Sequence, residues 1–305
     1  MRNLFRKLFK KRQKRRVLEN KIVSRLRAVQ YELVYRELFL ASTKLGVGND
    51  LDPTIIVSLT SYGPRVDSVY LAIESLFNQT LKADKIVLCL TESEYASSSL
   101  PLTLKQQEER GLEILLCPRD LGPYQKFFYT LQKYPNSLLI TVDDDVMYPL
   151  DTIERLYRAH QETPNAVVCN RAHHMRLSPT GCIEPYKAWD WSCRNTSESR
   201  LTFPTGVGGV LYFPGCFAPE ILCEDLFLEL APHADDVWLK AMSLKNGISS
   251  RLVPHSEDFY SRLAFIEGSQ VTSLKRLNKS KSDGNDFKIY QVFEHFNLVE
   301  KLSGN

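Results

Sequence analysis

Three consecutive aspartates, Asp143-Asp144-Asp145, follow the apolar run Leu138-Leu139-Ile140-Thr141-Val142. Carboxylates crowded in this way repel one another and lose solvation, so a fold that keeps them together calls for a compensating cation. Hard oxygen donors in a small group suit Mg2+ or Mn2+, which keeps several waters and shares its shell with substrate phosphates. A solvated acidic turn at a strand end has the same composition, and the surrounding elements must decide between the two. A second acidic pair, Asp235-Asp236, follows Ala231-Pro232-His233, where a helix is expected to start. One carboxylate there serves as a cap; a second exceeds what a cap needs and is a candidate general base. Lys126 falls in the first turn of a helix expected to begin at Pro123, where both lysine and the helix N-terminus favour phosphate; an ordinary surface lysine is the alternative. The glycine-rich stretch Thr205-Gly206-Val207-Gly208-Gly209 matches no phosphate-loop pattern and is either a close backbone approach to a ligand or a plain strand turn. Tyr186, Trp189 and Trp191 offer aromatic faces for stacking a ligand, or else core packing.

The elements that must hold these residues alternate. Apolar runs predict strands at 54–60, 85–90, 112–117, 138–142 and 166–169. Helical spacing separates them, as in Val69, Ala72, Ile73, Leu76 and Phe77. Strand and helix in alternation, with acids at a strand's carboxyl end, is a nucleotide-binding α/β layout. Asp151-Thr152-Ile153-Glu154 resembles a helix-capping arrangement. The chain of 305 residues, 43% hydrophobic and 25% charged, is globular in composition. Its seven cysteines form no C-x-x-C pair, so they read as reduced thiols. No run is apolar enough to span a bilayer, and the first residues lack the apolar core of a signal peptide, so a cytoplasmic location is expected.

The net charge of +3 hides an asymmetry, because residues 1–16 hold nine Lys/Arg and no acid, which leaves −6 for the remainder. Residues 1–45 are expected to form a basic amphipathic helical arm, with Leu4, Phe5, Leu8 and Phe9 on one face. Such an arm suits peripheral contact with an anionic membrane, each Lys or Arg adding about 1 kcal/mol. A nucleic-acid arm and a solvated tail are the rivals; no helix-turn-helix, RNA-binding or zinc motif accompanies it, so no nucleic acid is expected. Residues 46–50 read as a linker, 50–270 as the catalytic unit, and 271–305 as a C-terminal lid or docking segment with a short helix over 286–296.

Three stretches, Ile55-Ile56-Val57-Ser58-Leu59-Thr60, Ala72-Ile73-Glu74-Ser75-Leu76-Phe77-Asn78-Gln79-Thr80 and Lys85-Ile86-Val87-Leu88, resemble the opening of family 2 glycosyltransferases with the GT-A fold. The aspartate trio resembles that fold's DxD motif, and Ala234-Asp235-Asp236-Val237-Trp238 its Glu-Asp motif. Asp120-Leu-Gly-Pro-Tyr-Gln-Lys126 is similar to proteins of bacterial capsule and lipopolysaccharide loci. The resemblance implies a Rossmann-like, mixed but mainly parallel sheet flanked by helices. It implies transfer of a hexose-type sugar from a nucleotide-sugar donor, UDP- or GDP-linked, to a glycan or lipid-linked acceptor, by inversion, with Mn2+ or Mg2+ on Asp143 and Asp145. His255 is implied as a further metal ligand. Asp236 is implied as base with Asp235 beside it, and Thr60, Tyr62, Arg65, Lys126 and Asp144 as donor contacts. The family's base-reading aspartate at the end of the second strand is missing; the chain has Leu90-Thr91-Glu92, so Glu92 or Asp120 would substitute. The rival readings are a sugar nucleotidyltransferase, for which Ser61-Tyr62-Gly63-Pro64-Arg65 is a poor loop, and a non-catalytic adaptor on a GT-A-like body.

Overall fold

The computed structural model describes residues 2–95, 100–255, 262–269 and 284–303. The apolar runs become strands: β1 (Ile55–Thr60), β2 (Lys85–Thr91), β3 (Leu112–Cys117) and β4 (Leu138–Thr141). Between them lie α2 (Val69–Phe77), α3 (Leu102–Glu108) and α4 (Gln125–Lys133), all following a 40-residue helix, α1 (Arg2–Ala41). After the aspartates come β5 (Val146–Met147), α5 (Thr152–Glu162), β6 (Val167–Cys169), β7 (Ala172–His174), β8 (Thr202–Pro204) and β9 (Val210–Tyr212). The chain closes with α6 (Glu224–Leu230), α7 (Asp235–Lys245), β10 (Ser250–Leu252), β11 (Ala264–Phe265), α8 (Asn285–His295) and α9 (Val299–Leu302).

Among the described residues the main sheet has seven strands in the order β10-β6-β9-β4-β1-β2-β3. β1 pairs in parallel with β2 and β4, β2 with β3, and β6 with β10; β9 alone runs antiparallel, between β4 and β6. The expected mixed, mainly parallel sheet is therefore present. It is buried on both faces, which is why its strands read as unbroken apolar runs. One core lies between the sheet and α2, with Ile55, Val57, Leu59, Ile73, Leu76 and Ile140 all inaccessible. The other packs α4, α6, α7 and α8 together around Tyr124, Phe127, Phe227 and Trp238. Trp238 is fixed by its indole N–H, which donates to the Ile221 carbonyl at 3.0 Å. The C-terminal helix expected at 286–296 is present as α8 and docks on α7 through Ile289, Val292 and Phe293. Lys275, Arg276, Lys279 and Lys281 of the preceding segment lie outside the described residues.

Two expectations are revised. Residues 46–50 are no free linker: Gly46 donates to the Arg110 carbonyl at 2.9 Å and Gly48 to that of Ala83 at 2.7 Å. Gly46 is packed so tightly on Phe77 that a Cβ there would lie 2.0 Å from the ring. The second half of α1 docks on the body, where Tyr35 is buried and donates to the Tyr148 carbonyl at 3.2 Å. The side chains of Leu4, Phe5, Leu8 and Phe9 lie outside the described residues. Asp151 and Glu154 form no capping box: Asp151 pairs with Arg262 and Glu154 accepts from Thr80 at 2.7 Å, because tertiary partners outbid the local ones.

Candidate active site

The aspartate trio sits just past the carboxyl end of β4, and the three side chains have different surroundings. Asp143 keeps 30% of its side chain accessible and pairs with Lys126 at 3.0 Å. Its backbone N–H donates at 2.7 Å to the buried Tyr148 hydroxyl, which fixes the turn out of the strand. Asp144 is 4% exposed, accepts from the Ser61 hydroxyl at 2.6 Å, and pairs with Arg65 at 2.6 Å. Asp145 pairs with the same guanidinium at 2.9 Å. Arg65 reaches them from a 3-10 turn after β1 and also donates twice to the Ser269 carbonyl, at 3.2 and 2.9 Å. Burial opposes its charge, but Asp144 and Asp145 outweigh that and raise its pKa.

Lys126 joins the two acidic motifs. A 3-10 turn over Gly122–Tyr124 carries Pro123, and α4 then starts at Gln125, so Lys126 is in the first helical turn as predicted. Its ammonium lies 3.0 Å from Asp143 and 2.9 Å from Asp235, and only 5% of the residue is exposed. Burial alone would lower its pKa; Asp143, Asp235 and Asp236 instead hold it well above the ordinary lysine range. Asp235 and Asp236 form the first turn of α7, where the helix dipole favours negative charge. Asp236 accepts the Gly206 N–H at 3.0 Å. Burial, followed by repulsion from Asp235, pushes it up to about 8. Burial also pushes Asp144 up to about 6 against the pull of Arg65.

Gly206 is where the motifs meet. A Cβ there would be 3.2 Å from Asp236 Oδ1, 3.4 Å from Asp143 Oδ1 and 3.4 Å from Lys126 Nζ. A strand-end acid, a helix-start acid and a lysine from a third element thus converge on one glycine backbone. The five carboxylates, against two cations, leave an excess of negative charge. Among the described residues no three of His, Cys, Asp or Glu form a closed ligand set. An ion that keeps its waters and takes substrate phosphate oxygens needs only one or two protein carboxylates. Asp143 and Asp145 supply oxygen donors of the kind Mg2+ or Mn2+ takes.

The remaining candidates are spread around this centre. Thr60 donates to the Cys89 carbonyl at 2.9 Å, a bond internal to the sheet. Tyr62 is 38% exposed, with Arg65 5.5 Å from its ring centroid. Glu92 and Asp120 are both exposed at the ends of β2 and β3; Asp120 accepts from the Gly122 N–H at 2.7 Å and from Gln125 at 3.2 Å. His255 has both ring nitrogens engaged: Nε2 lies 2.6 Å from the Asn170 carbonyl, to which it donates, and Nδ1 lies 2.9 Å from Arg155. Trp189 is buried core, whereas Trp191 is 54% exposed. Sequence reasoning did not single out Ser61 or Tyr148; a hydroxyl flanking an acidic turn carries no pattern that would reveal it.

Residues 59–209 match the family model described as glycosyl transferase family 2. The matched stretch runs from the end of β1 through the aspartate trio to the Gly206 loop and stops before Asp235. This stretch, about half of the chain, is a family 2 glycosyltransferase domain. No curated protein matches it. Among solved structures, it is similar to a mannosyltransferase, PcManGT, from Pyrobaculum calidifontis in complex with GDP-Man and Mn2+, at 13% identity. That likeness covers 94% of this chain and 81% of the other, with a TM-score of 0.45. Residues 1–349 of S. aureus TarS, in complex with UDP, are 14% identical over 67% of this chain and 58% of that one, with a TM-score of 0.43. The family assignment rests on the sequence match, these structural likenesses being too loose to add to it.

Proposed function

We propose that the enzyme transfers a sugar from a nucleotide-sugar donor, UDP- or GDP-linked, to a hydroxyl of a glycan or lipid-linked acceptor, in a single inverting displacement. The observation that carries this reading is the meeting of Asp143, Lys126 and Asp236 around Gly206. The acceptor O–H bond breaks as its oxygen bonds to the sugar's anomeric carbon. The bond from that carbon to the diphosphate breaks with its electron pair, which the departing nucleoside diphosphate keeps. Asp236 receives the acceptor's proton; its high affinity for that proton, set by burial and Asp235, suits a general base working near neutral pH. Asp235 holds Lys126 in place. Lys126 and Arg65 are the cations nearest the aspartates and would take up negative charge on the leaving group. Asp143 and Asp145 would hold Mn2+ or Mg2+, which when bound supplies Lewis-acid neutralisation of the diphosphate.

The basic arm supports action at an anionic membrane face, as in cell-surface polysaccharide synthesis. Leu18, Ile22 and Leu26 of α1 are exposed on a helix whose first turns are rich in Lys and Arg. Among the described residues no helix is long and apolar enough to cross a membrane, so contact would be peripheral. The test is donor turnover in Asp236→Asn and Asp145→Asn variants with and without Mn2+. Release of nucleoside diphosphate that both variants reduce at least ~100-fold is expected. In Asp236→Asn, Mn2+-dependent stabilisation by nucleoside diphosphate should survive. Pyrophosphate as the product would instead mark a nucleotidyltransferase, and unchanged turnover in Asp236→Asn would refute the base assignment.

A further inference from the structure

The reaction above leaves one polar cavity without a use. It has a volume of about 110 Å³ and opens beside the carboxyl ends of β6 and β10. Arg171, Arg194 and His255 line it, and among the described residues no Asp or Glu does. Asn170 also lines it; that residue is 2% exposed, and among the described residues its Oδ1 has no hydrogen-bond partner while its Nδ2 donates to the Gly208 carbonyl. A buried carbonyl oxygen left in this state is costly unless something donates to it. The lining therefore offers positive charge to a ligand group that carries a negative one.

Position and size narrow what that group belongs to. Arg171 donates to the Thr205 hydroxyl at 2.6 Å, and the amide of the next residue, Gly206, holds Asp236. The consecutive residues Thr205 and Gly206 thus link Arg171 of the cavity wall to the candidate base. On the other side, Ser192 adopts φ +48°, which a non-glycine residue adopts only when its surroundings enforce it. Its N–H is tied to His173 Nδ1 at 3.0 Å. The exposed Trp191 precedes the lining residue Ser192 and is steadied by His173 at 4.5 Å and Tyr186 at 5.1 Å. An exposed indole face stacks on the apolar face of a sugar ring. Whole-ligand pockets run to several hundred Å³, so this volume suits one substituent and not a nucleotide.

We propose that the cavity receives an anionic substituent, a carboxylate or a phosphate, of the acceptor sugar, whose ring lies on Trp191. The assignment of that sugar as acceptor rests on the glycosyl-transfer reading; the anion site itself does not. The test uses the full-length protein with glucuronic acid, glucose 6-phosphate and neutral glucose as probes, followed by tryptophan fluorescence at low salt, in wild type and in Arg194→Ala. Arg194 is exposed, so its loss leaves folding intact. Saturable binding of a charged sugar at least ~10-fold tighter than glucose, weakened ~10- to 100-fold by Arg194→Ala, is expected. Glucuronic acid alone would identify a carboxylate, glucose 6-phosphate alone a phosphate, and both together a site that reads charge only; each supports the proposal. Equal binding of glucose, an Arg194→Ala affinity within twofold of wild type, or displacement of the charged sugar by a nucleoside diphosphate would overturn it. Charged-sugar binding in a protein that cleaves no nucleotide-sugar would sink the transfer reading and leave the anion site standing. Donor cleavage with no charged sugar bound would do the reverse.

Discussion

Lys240 offers a sharp test of how α7 is seated. It lies one helical turn beyond Asp236 and on the same face, so the burial that sets the acid also buries the lysine. The residue is 2% exposed and its Nζ has no hydrogen-bond partner among the described residues. Burial, against a small opposing effect from Cys169, pulls it down to about 7 from 10.5. The unfolded chain therefore binds more protons than the folded one between pH 7 and pH 10.5, and stability must rise with pH across that window. Below pH 7 the full penalty applies. At about 1.4 kcal/mol per pKa unit, the burden is about 4 kcal/mol at pH 7 and falls below about 1 kcal/mol at pH 10. Lys240→Met keeps the unbranched stem and removes the charge. Its advantage over wild type should be near 4 kcal/mol in urea unfolding at pH 7 and should shrink steadily towards pH 10. A difference between the two proteins that does not vary with pH, or a variant less stable than wild type at pH 7, would refute the account and imply a partner for the ammonium.

Two other outcomes test the site itself. With Asp236 at about 8 and active only as its carboxylate, kcat/KM should fall about tenfold for each pH unit below 8 and level off above it; a flat profile from pH 6 to 9.5 would exclude Asp236 as the base. Gly206→Ala adds a methyl 3.2 to 3.4 Å from Asp236, Asp143 and Lys126, so turnover should drop at least ~10-fold while the melting temperature changes little, and full activity would show that the three groups do not act around this residue.

Much of the sheet was legible because its strands are buried on both faces. Ile55–Thr60, Lys85–Thr91 and Leu112–Cys117 announce themselves as continuous apolar runs, and their ends were readable to within a residue. Lys126 and the Asp235–Asp236 pair were found because helix starts select for such side chains. What could not be read is the bond between them. The pairing of Lys126 with Asp235 joins elements far apart in sequence, and local pattern does not encode which helix start faces which. The 46–50 stretch failed for a related reason: glycine marks both a free turn and a close approach, and only the Phe77 ring on the other side distinguishes them. Asp151 looked like a cap because its distant partner, Arg262, has no trace in the neighbouring sequence.

Arg65 binds Asp144 and Asp145 through their side chains but Ser269 only through its main-chain oxygen. The two ends of that clamp therefore differ in mutational tolerance. Residue 269 can change identity and still present the same oxygen, so drift at that position leaves the clamp intact. Position 65 has no such freedom: lysine would lose the fork that grips two acids and a peptide oxygen at once. Among related chains, substitution should accumulate at the anchored end and be purged at the anchoring one.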